Sequence, residues 1–521
     1  MHSLVKLYDI ETRPPSLGDN TGDLDRLKKV LTGYLRGRNP VVPFHRIAPV
    51  AKAFRQSGFK GCAAVIHYPD GPRLVDFFAR APEVLLGMAL DLGTTHLEAS
   101  LTDLVSGRVL ARNTVENGQL EFGADILTRI HFAANKVGLQ TGLDLLHERV
   151  MTSIHSLALE LTKKIRMKTS QIMALCVSGN TTMVHFFLKQ DPYHLCREPY
   201  IPVVNGPDPF SASELNLELH PAAIVWVMPS IGSYFGGDLI SGILASSLDR
   251  QEKTCMLIDV GTNAEVVVGN RDWLIACAGA AGPALEGGVA RMGMRAEKGA
   301  IEHCTIDPES GGIDYQTIGS TPARGICGSG VIDLVAGLYL ARIIDIRGKF
   351  RPEQPQADGR LIQQGESLAY VVVPGEESGL GEPILLSQVD IDALMRSKAA
   401  MYSILATITN QVGVSFHDLH KIYVAGAFGK HISPRQAIVL GMLPDLPLEV
   451  YNPLGNSSLA GAELMLTDSS VRERCREVVA KVTYVELNVN QEFMIRFSGS
   501  RFIPHTDHTL FPSVPFYTDH R

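Results

Sequence analysis

The 521-residue sequence predicts an α/β fold built by duplication, with two similar lobes behind a small N-terminal module, and three observations predict it. A three-strand meander whose first strand runs into an Asp-x-Gly-Thr turn occurs twice, with its aspartate at Asp91 and again at Asp259. Each meander is followed by helical stretches and then by an apolar strand that stops at glycine, Gly179 in one copy and Gly426 in the other. Repetition of strand-strand-strand-helix-strand-helix implies two like lobes with a cleft between them, and it outweighs any single motif. The length also exceeds what one hydrophobic core organises, which favours a two-lobed unit with an appendage.

The elements follow in chain order. Residues 1–38 read as a linker segment: Arg13-Pro14-Pro15-Ser16 and Gly18-Asp19-Asn20 are extended and turn-rich. Asp23 then caps a helix with Leu24, Leu27, Leu31 and Leu35 at helical spacing. Residues 39–86 form a small α/β middle domain. It holds a helix over Pro49–Ser57, with proline suited to the first turn, and a strand over Ala63–His67 closed by Tyr68-Pro69-Asp70-Gly71-Pro72. Residues 87–252 form the first lobe, with strands Gly87–Asp91, His96–Thr102, Arg108–Val115 and Ile172–Ser178. Residues 253–521 form the second, with strands Cys255–Asp259, Ala264–Val268, Arg271–Cys277 and Lys421–Ala425. Turn residues bounding β-branched runs support both meanders.

Composition narrows the function. With 45% hydrophobic and 20% charged residues the chain reads as a soluble globular protein. The net charge is −7, from 48 basic and 55 acidic residues with no long basic tract, which argues against nucleic-acid binding. Apolar runs such as Ile224–Met228 fall far short of a membrane span, and Met1–Lys6 has no signal-peptide core, so the expected location is the cytoplasm. The eight cysteines (Cys62, Cys176, Cys196, Cys255, Cys277, Cys304, Cys327 and Cys475) form no C-x-x-C pair. That spacing speaks against a disulfide framework, a local zinc site and the usual iron–sulfur loops, and most of these residues are expected as small buried hydrophobes.

The repeated loops suit a nucleotide. Glycine lets backbone amides approach phosphate oxygens, threonine adds a hydroxyl donor, and aspartate offers a hard oxygen to Mg²⁺, commonly through its waters. The sequence therefore assigns phosphate contacts to Gly93, Thr94 and Thr95 after Asp91, and to Gly261, Thr262 and Asn263 after Asp259. Asp91 and Asp259 are the expected metal-binding and catalytic carboxylates, because phosphoryl transfer is catalysed by positioning and charge neutralisation. Glu265, just past the second loop, has a stronger claim to the cleft than Asp125 or Asp238. Gly179-Asn180-Thr181 closes the first lobe's later strand, and Gly426 and Gly429 in the turn Ala425–Gly429 would hold the adenosine by close backbone approach. Gly325–Gly330 precedes a helical run over Val331–Ala341, where Gly328 could offer amides to a phosphate or ribose, or serve as a tight packing turn. His185 reads as structural.

These residues, with others in order, resemble the reductive activators of corrinoid proteins. The matching segments include Pro14–Leu17, Asp23–Leu27, Leu90–Thr95, Phe122–Ile126, Gly179–Met183, Pro229–Ile231, Gly236–Asp238 and Ile258–Glu265. They continue through Ala281–Gly287, Gly325–Gly330, Ala425–Gly429, Gly455–Leu459, Ile503–His505 and Phe511–Ser513. The resemblance implies an ATPase of the actin, Hsp70 and sugar-kinase group, ribonuclease H-like in each lobe, using ATP and Mg²⁺. It implies a corrinoid protein of a methyltransferase system as partner, returned from cobalt(II) to cobalt(I), and a homodimeric activator.

The sequence departs from that family in one respect. Members typically carry an iron–sulfur segment, often an N-terminal ferredoxin domain ahead of the Pro-Pro-Ser linker, whereas this sequence starts near the linker and has no C-x4-C-x2-C spacing. The expectation is that this chain holds no cluster and takes electrons from a separate ferredoxin-like partner, or that the start lies downstream of the true one. Loss of the redox step, leaving ATPase or chaperone-like action, is the third option. Rival readings are an activator of radical dehydratases, whose cluster would need Cys304 or Cys327, a sugar kinase, and a nucleotide-dependent scaffold without redox activity.

Overall fold

Buried apolar strands set the architecture and gather into two compact units. The computed structural model describes residues 3–261, 263–279, 292–357, 359–487 and 491–517. One unit takes residues up to Ala245 together with Ser457–Ala480, and the other takes Ser246–Asn456 together with Lys481 onward.

The first unit opens with β1 (Val5–Glu11), α1 (Asp23–Tyr34), α2 (Ile47–Gln56), β2 (Lys60–Tyr68) and β3 (Gly71–Phe78). The three strands make an antiparallel sheet in the order β1-β2-β3. Leu27 and Leu31 of α1 and Val50 and Phe54 of α2 close a core over Val65, Leu74 and Phe77. The expected linker segment 1–38 is thus joined to the module that follows it: β1 pairs with β2 from Val5↔Ile66 to Glu11↔Lys60. Its Lys6, Asp9 and Glu11 dilute the apolar signal that would have marked it as a strand.

The larger sheet of this unit is built from β4 (Leu86–Leu92), β5 (His96–Asp103) and β6 (Val109–Glu116), followed by α3 (Ile126–Ala133). A short hairpin, β7 (Lys136–Val137) and β8 (Gln140–Thr141), leads into α4 (Gly142–Lys164), whose start is fixed by a capping box between Thr141 and Asp144. Then come β9 (Ile172–Gly179), α5 (Thr181–Phe187), β10 (Phe210–Ser211), β11 (Ile224–Val227) and α6 (Gly237–Ser246). The strand order is β10-β11-β9-β4-β5-β6. Large and small residues alternate along β4. Met88, Leu90 and Leu92 pack with Leu146, Val150, Ile154 and Leu157 of α4, while Gly87, Ala89 and Asp91 lie on the opposite face of the pleat.

The second unit repeats the plan. Its sheet contains β12 (Cys255–Val260), β13 (Ala264–Gly269) and β14 (Leu274–Gly279). Next come β15 (Ala300–Ile306), β16 (Ile313–Thr317), β17 (Gly325–Ile326) and α7 (Gly328–Leu340), then β18 (Leu361–Gln364), β19 (Ser367–Val373) and β20 (Ile384–Ser387), then the long α8 (Gln388–Gln411). The chain returns to the main sheet with β21 (Lys421–Ala425), followed by α9 (Gly426–His431), α10 (Pro434–Val439) and β22 (Tyr451–Gly455). Helices α11 (Ser457–Thr467) and α12 (Ser470–Lys481) then join the first unit, before β23 (Val482–Val485) and α13 (Gln491–Gly499) rejoin the second. The expected second lobe over 253–521 is therefore interrupted at 457–480. The order here is β22-β21-β12-β13-β14-β23.

The two sheets have the same central strand pairing. In each, the first strand of the meander pairs antiparallel with the second and parallel with the later glycine-terminated strand, which itself pairs parallel with one further strand. The duplicated actin/Hsp70/sugar-kinase-like arrangement is thus present strand by strand. Among the described residues these two six-stranded sheets differ at their margins, where β10 extends one beside β11 and β23 extends the other beside β14.

Candidate functional site

Each predicted phosphate loop leaves the sheet at an equivalent place. Asp91 and Asp259 are the only residues of β4 and β12 that are not fully buried, one step before the strand ends. Across the ladder each faces a glutamate, Glu98 opposite Asp91 and Glu265 opposite Asp259. Glu265 is the glutamate that the sequence expects near the cleft, and Glu98 is its counterpart in the repeat.

In the first unit, Gly93 turns the chain where a Cβ would sit 2.4 Å from the carbonyl oxygen of His96, so only glycine fits. Asn117, wholly buried, pins this loop twice: its Nδ2 donates to Gly93 O at 2.9 Å and its backbone N–H to Thr95 O at 2.9 Å. Nothing about a lone asparagine 22 residues beyond the loop marks it in the sequence. Asn180 bridges the second turn to the first, with Nδ2 donating to Thr94 Oγ1 at 3.1 Å and Oδ1 accepting from Met183 N–H at 2.9 Å as the cap of α5. Thr181 Oγ1 donates its proton to Gly232 O at 3.1 Å, which leaves that hydroxyl only as an acceptor. Gly179 lies against Leu92, and Gly236 against Asn180, where added Cβ atoms would come within 2.7 Å of Leu92 O and 2.4 Å of Asn180 Cα. The Asp91 loop, the Gly179–Thr181 turn and the Gly236–Asp238 turn are thereby gathered into one place.

Two other candidates have jobs in the scaffold. Asp125 caps α3, accepting from Thr128 N–H at 2.9 Å and Thr128 Oγ1 at 2.6 Å, and these bonds hold its carboxyl below the ordinary aspartate range. His185 donates from Nδ1 to Thr181 O at 2.7 Å and accepts at Nε2 from Val203 N–H at 3.1 Å. Both bonds require the neutral ring, and burial lowers its pKa in the same sense.

In the second unit, Gly426 (φ +75°) sits directly against the first loop's counterpart: a Cβ there would lie 2.9 Å from Asp259 Oδ1 and 2.7 Å from Val260 O. Gly261 N–H donates to Asn263 O at 2.9 Å, closing the turn. Gly429 packs on Val424, its absent Cβ 2.1 Å from the carbonyl oxygen. Beside it an apolar cavity of about 180 Å³ is lined by Val424, Ile432, Pro434, Leu443, Tyr451 and Pro453. The Gly325–Gly330 turn is bound tightly to β15. Ser329 Oγ donates to Glu302 O at 2.8 Å, and Gly330 leaves no room for a Cβ, which would lie 2.3 Å from Ile301 O. Gly328 starts α7 and is buried with it. Thr262 and the Ala281–Gly287 segment lie outside the described residues.

Within each unit the turn's chemistry suits a magnesium nucleotide: a hard carboxylate oxygen at the strand end, beside a glycine whose bare Cα position admits a phosphate oxygen to backbone amides. The thiols offer less. Cys327 Sγ donates to Ile301 O at 3.2 Å, and burial pushes the Cys304 thiol up to about 12, far from the thiolate a metal requires. Among the described residues no group of three or more His, Cys, Asp or Glu side chains is placed to hold a metal ion, and no helix is long and apolar enough to cross a membrane.

Comparison with known proteins adds the following. Residues 253–515 match the family described as the C-terminal domain of RACo, the ASKHA domain, residues 86–251 the RACo middle region, and residues 1–82 the RACo linker region. The chain is 29% identical over 498 residues to the corrinoid activation enzyme RamQ of Eubacterium limosum, which covers 94% of this chain and 82% of the relative. It is 26% identical over 430 residues to the Co(II) methylated amine-specific corrinoid protein reductase of Methanosarcina barkeri, covering 77% and 73%. A solved structure, a reductive activator for corrinoid, iron-sulfur protein, superposes with a TM-score of 0.89 at 36% identity, covering 98% of this chain and 81% of that one.

Proposed function

The chain belongs to the RACo family of reductive activators of corrinoid proteins, and from that premise we propose that it returns an oxidised cobalt(II) corrinoid protein to cobalt(I) at the expense of ATP. The duplicated Asp-x-Gly-Thr turn, carried at the same place in two sheets of the same strand order, is the observation that supports the ATP half of this reading. The corrinoid half is supported by relatives that span most of the chain.

MgATP, when bound, supplies the transferable phosphoryl group and the metal charge that neutralises it. The chain's own residues do the rest. Gly93 and Gly261 would admit phosphate oxygens to the amides of their turns, and Thr94, Thr95, Asn180 and Asn263 would complete the polar lining. Asp91 and Asp259 would hold the metal through its waters, and Glu265 would serve the attacking water. The apolar cavity beside Gly429 accepts the adenine face, and Gly426 and Gly328 keep the backbone close to the nucleoside. ATP can bias an uphill electron transfer only through a conformational cycle whose states differ in affinity for the two cobalt forms.

The electron itself comes from a separate ferredoxin-like iron–sulfur donor: one electron leaves the reduced cluster and cobalt(II) becomes cobalt(I). The protein works in the cytoplasm as a homodimer. The test mixes the purified chain, MgATP, a reduced ferredoxin and a cobalt(II) corrinoid protein, and follows cobalt(I) by its absorption. Cobalt(I) is expected only with all four components present, and hydrolysis is expected to rise when the cobalt(II) protein is added. Hydrolysis indifferent to the corrinoid protein, with no cobalt(I), defeats the proposal.

A further inference from the structure

Beneath Asp91 the first unit holds a line of three buried serines from three different elements. Ser458 Oγ lies 2.7 Å from Asp91 Oδ1 and 2.9 Å from Ser178 Oγ, and Ser178 Oγ lies 2.9 Å from Ser241 Oγ. Ser458 belongs to the first turn of α11, Ser178 to β9 and Ser241 to α6. All three are buried, Ser178 and Ser241 completely. The contact is enforced by packing: one turn on from Ser458, Gly461 lets α11 approach α6 until an added Cβ would lie 2.4 Å from Ser241 Cα.

Hydrogen counting gives this line a direction. An ionised carboxylate only accepts, so the single Ser458 proton goes to Asp91. Ser458 must then accept from Ser178, and Ser178, its proton spent, must accept from Ser241. The order Ser241 to Ser178 to Ser458 to Asp91 is the one arrangement that satisfies all three contacts. Hydroxyls aligned this way polarise one another toward the carboxylate at the end of the row.

We infer that Ser458 is a positioning residue for Asp91: through this hydroxyl row it fixes one carboxylate oxygen, and with it the plane in which Asp91 meets the metal's water. The inference rests on the proposed nucleotide site. Hydroxyl bonds to a charged group are stronger than those between neutral partners. Replacing Ser458 with Ala should therefore lower kcat for MgATP hydrolysis by roughly tenfold or more, with the KM for ATP changed by less than about threefold. Calorimetry supplies a readout apart from turnover: the preference for MgADP over metal-free ADP should shrink in S458A. S178A keeps the last link but removes the donor behind it, and should fall between wild type and S458A in both readouts. Ser458→Thr restores a hydroxyl and should recover most of the lost kcat, whereas a residue that merely fills space would be replaced as well by Cys as by Thr. Unchanged kcat and unchanged metal preference in S458A overturn the role of Ser458 alone. An unsubstituted chain that neither hydrolyses MgATP nor binds MgADP overturns the nucleotide site, and the inference with it.

Discussion

At the scale of single residues the proposed site rests on Asp91 and Asp259. Each is the one incompletely buried position in an otherwise apolar strand, which is costly unless the carboxylate has a partner to serve. Replacing either with Asn keeps the shape and removes the charge. Both variants should stay folded and lose roughly 10²-fold or more in Mg-dependent hydrolysis, the scale of losing a preorganised electrostatic group; steady-state phosphate release measures it, and near-wild-type rates in both would remove the assignment. These two aspartates were readable in the sequence because strand, aspartate, glycine and threonine are adjacent in the chain. Glu98 was readable in principle, since it answers Glu265 in the repeat. Asn117 and Ser458 were not: their bonds to Gly93 O and Asp91 Oδ1 span 24 and 367 positions, and no local pattern encodes such a contact.

At the scale of elements, legibility followed periodicity. The meander strands stood out because apolar runs bounded by turn residues are unambiguous, and β21 fell over Lys421–Ala425 as expected. Elements too short to show a period, such as the two-residue β10 and the four-residue β23, left no signal. The alternation along β4 has an energetic meaning. Its large residues fill the core against α4, while its small ones, with Ala174, Cys176 and Ser178 of β9 in register, form a shallow face that α11 can approach closely. Gly461 is the contact that this face depends on. Gly461→Ala places a methyl against the backbone of α6, where only a movement of the helix can relieve it. We expect a loss of roughly 1–3 kcal/mol, as for overpacked cores, read from urea denaturation. A midpoint unchanged from the parent chain would mean α11 has slack that these contacts do not suggest.

At the scale of the molecule, the chain divides into units that sequence order does not respect. Length and duplication announced two lobes, but the return of 457–480 to the first could not be read, because α11 and α12 resemble any other helices of the second half. A chain ended after Asn456 should therefore fail to complete its first unit although every earlier residue of that unit is present. Hydrogen exchange would show weakened protection in β4 and β9; full protection there would make α11 and α12 dispensable. The same threading has a consequence during synthesis. Between Ala245 and Ala480 the ribosome adds a stretch that, at about 5–20 residues per second, takes roughly 10 to 50 seconds. Through that interval the nascent first unit waits with the small-residue face of its sheet uncovered, and Asp91 has no Ser458 to meet. The Asp91 turn, close to the start of the chain, is thus among the last parts of the first unit to be finished.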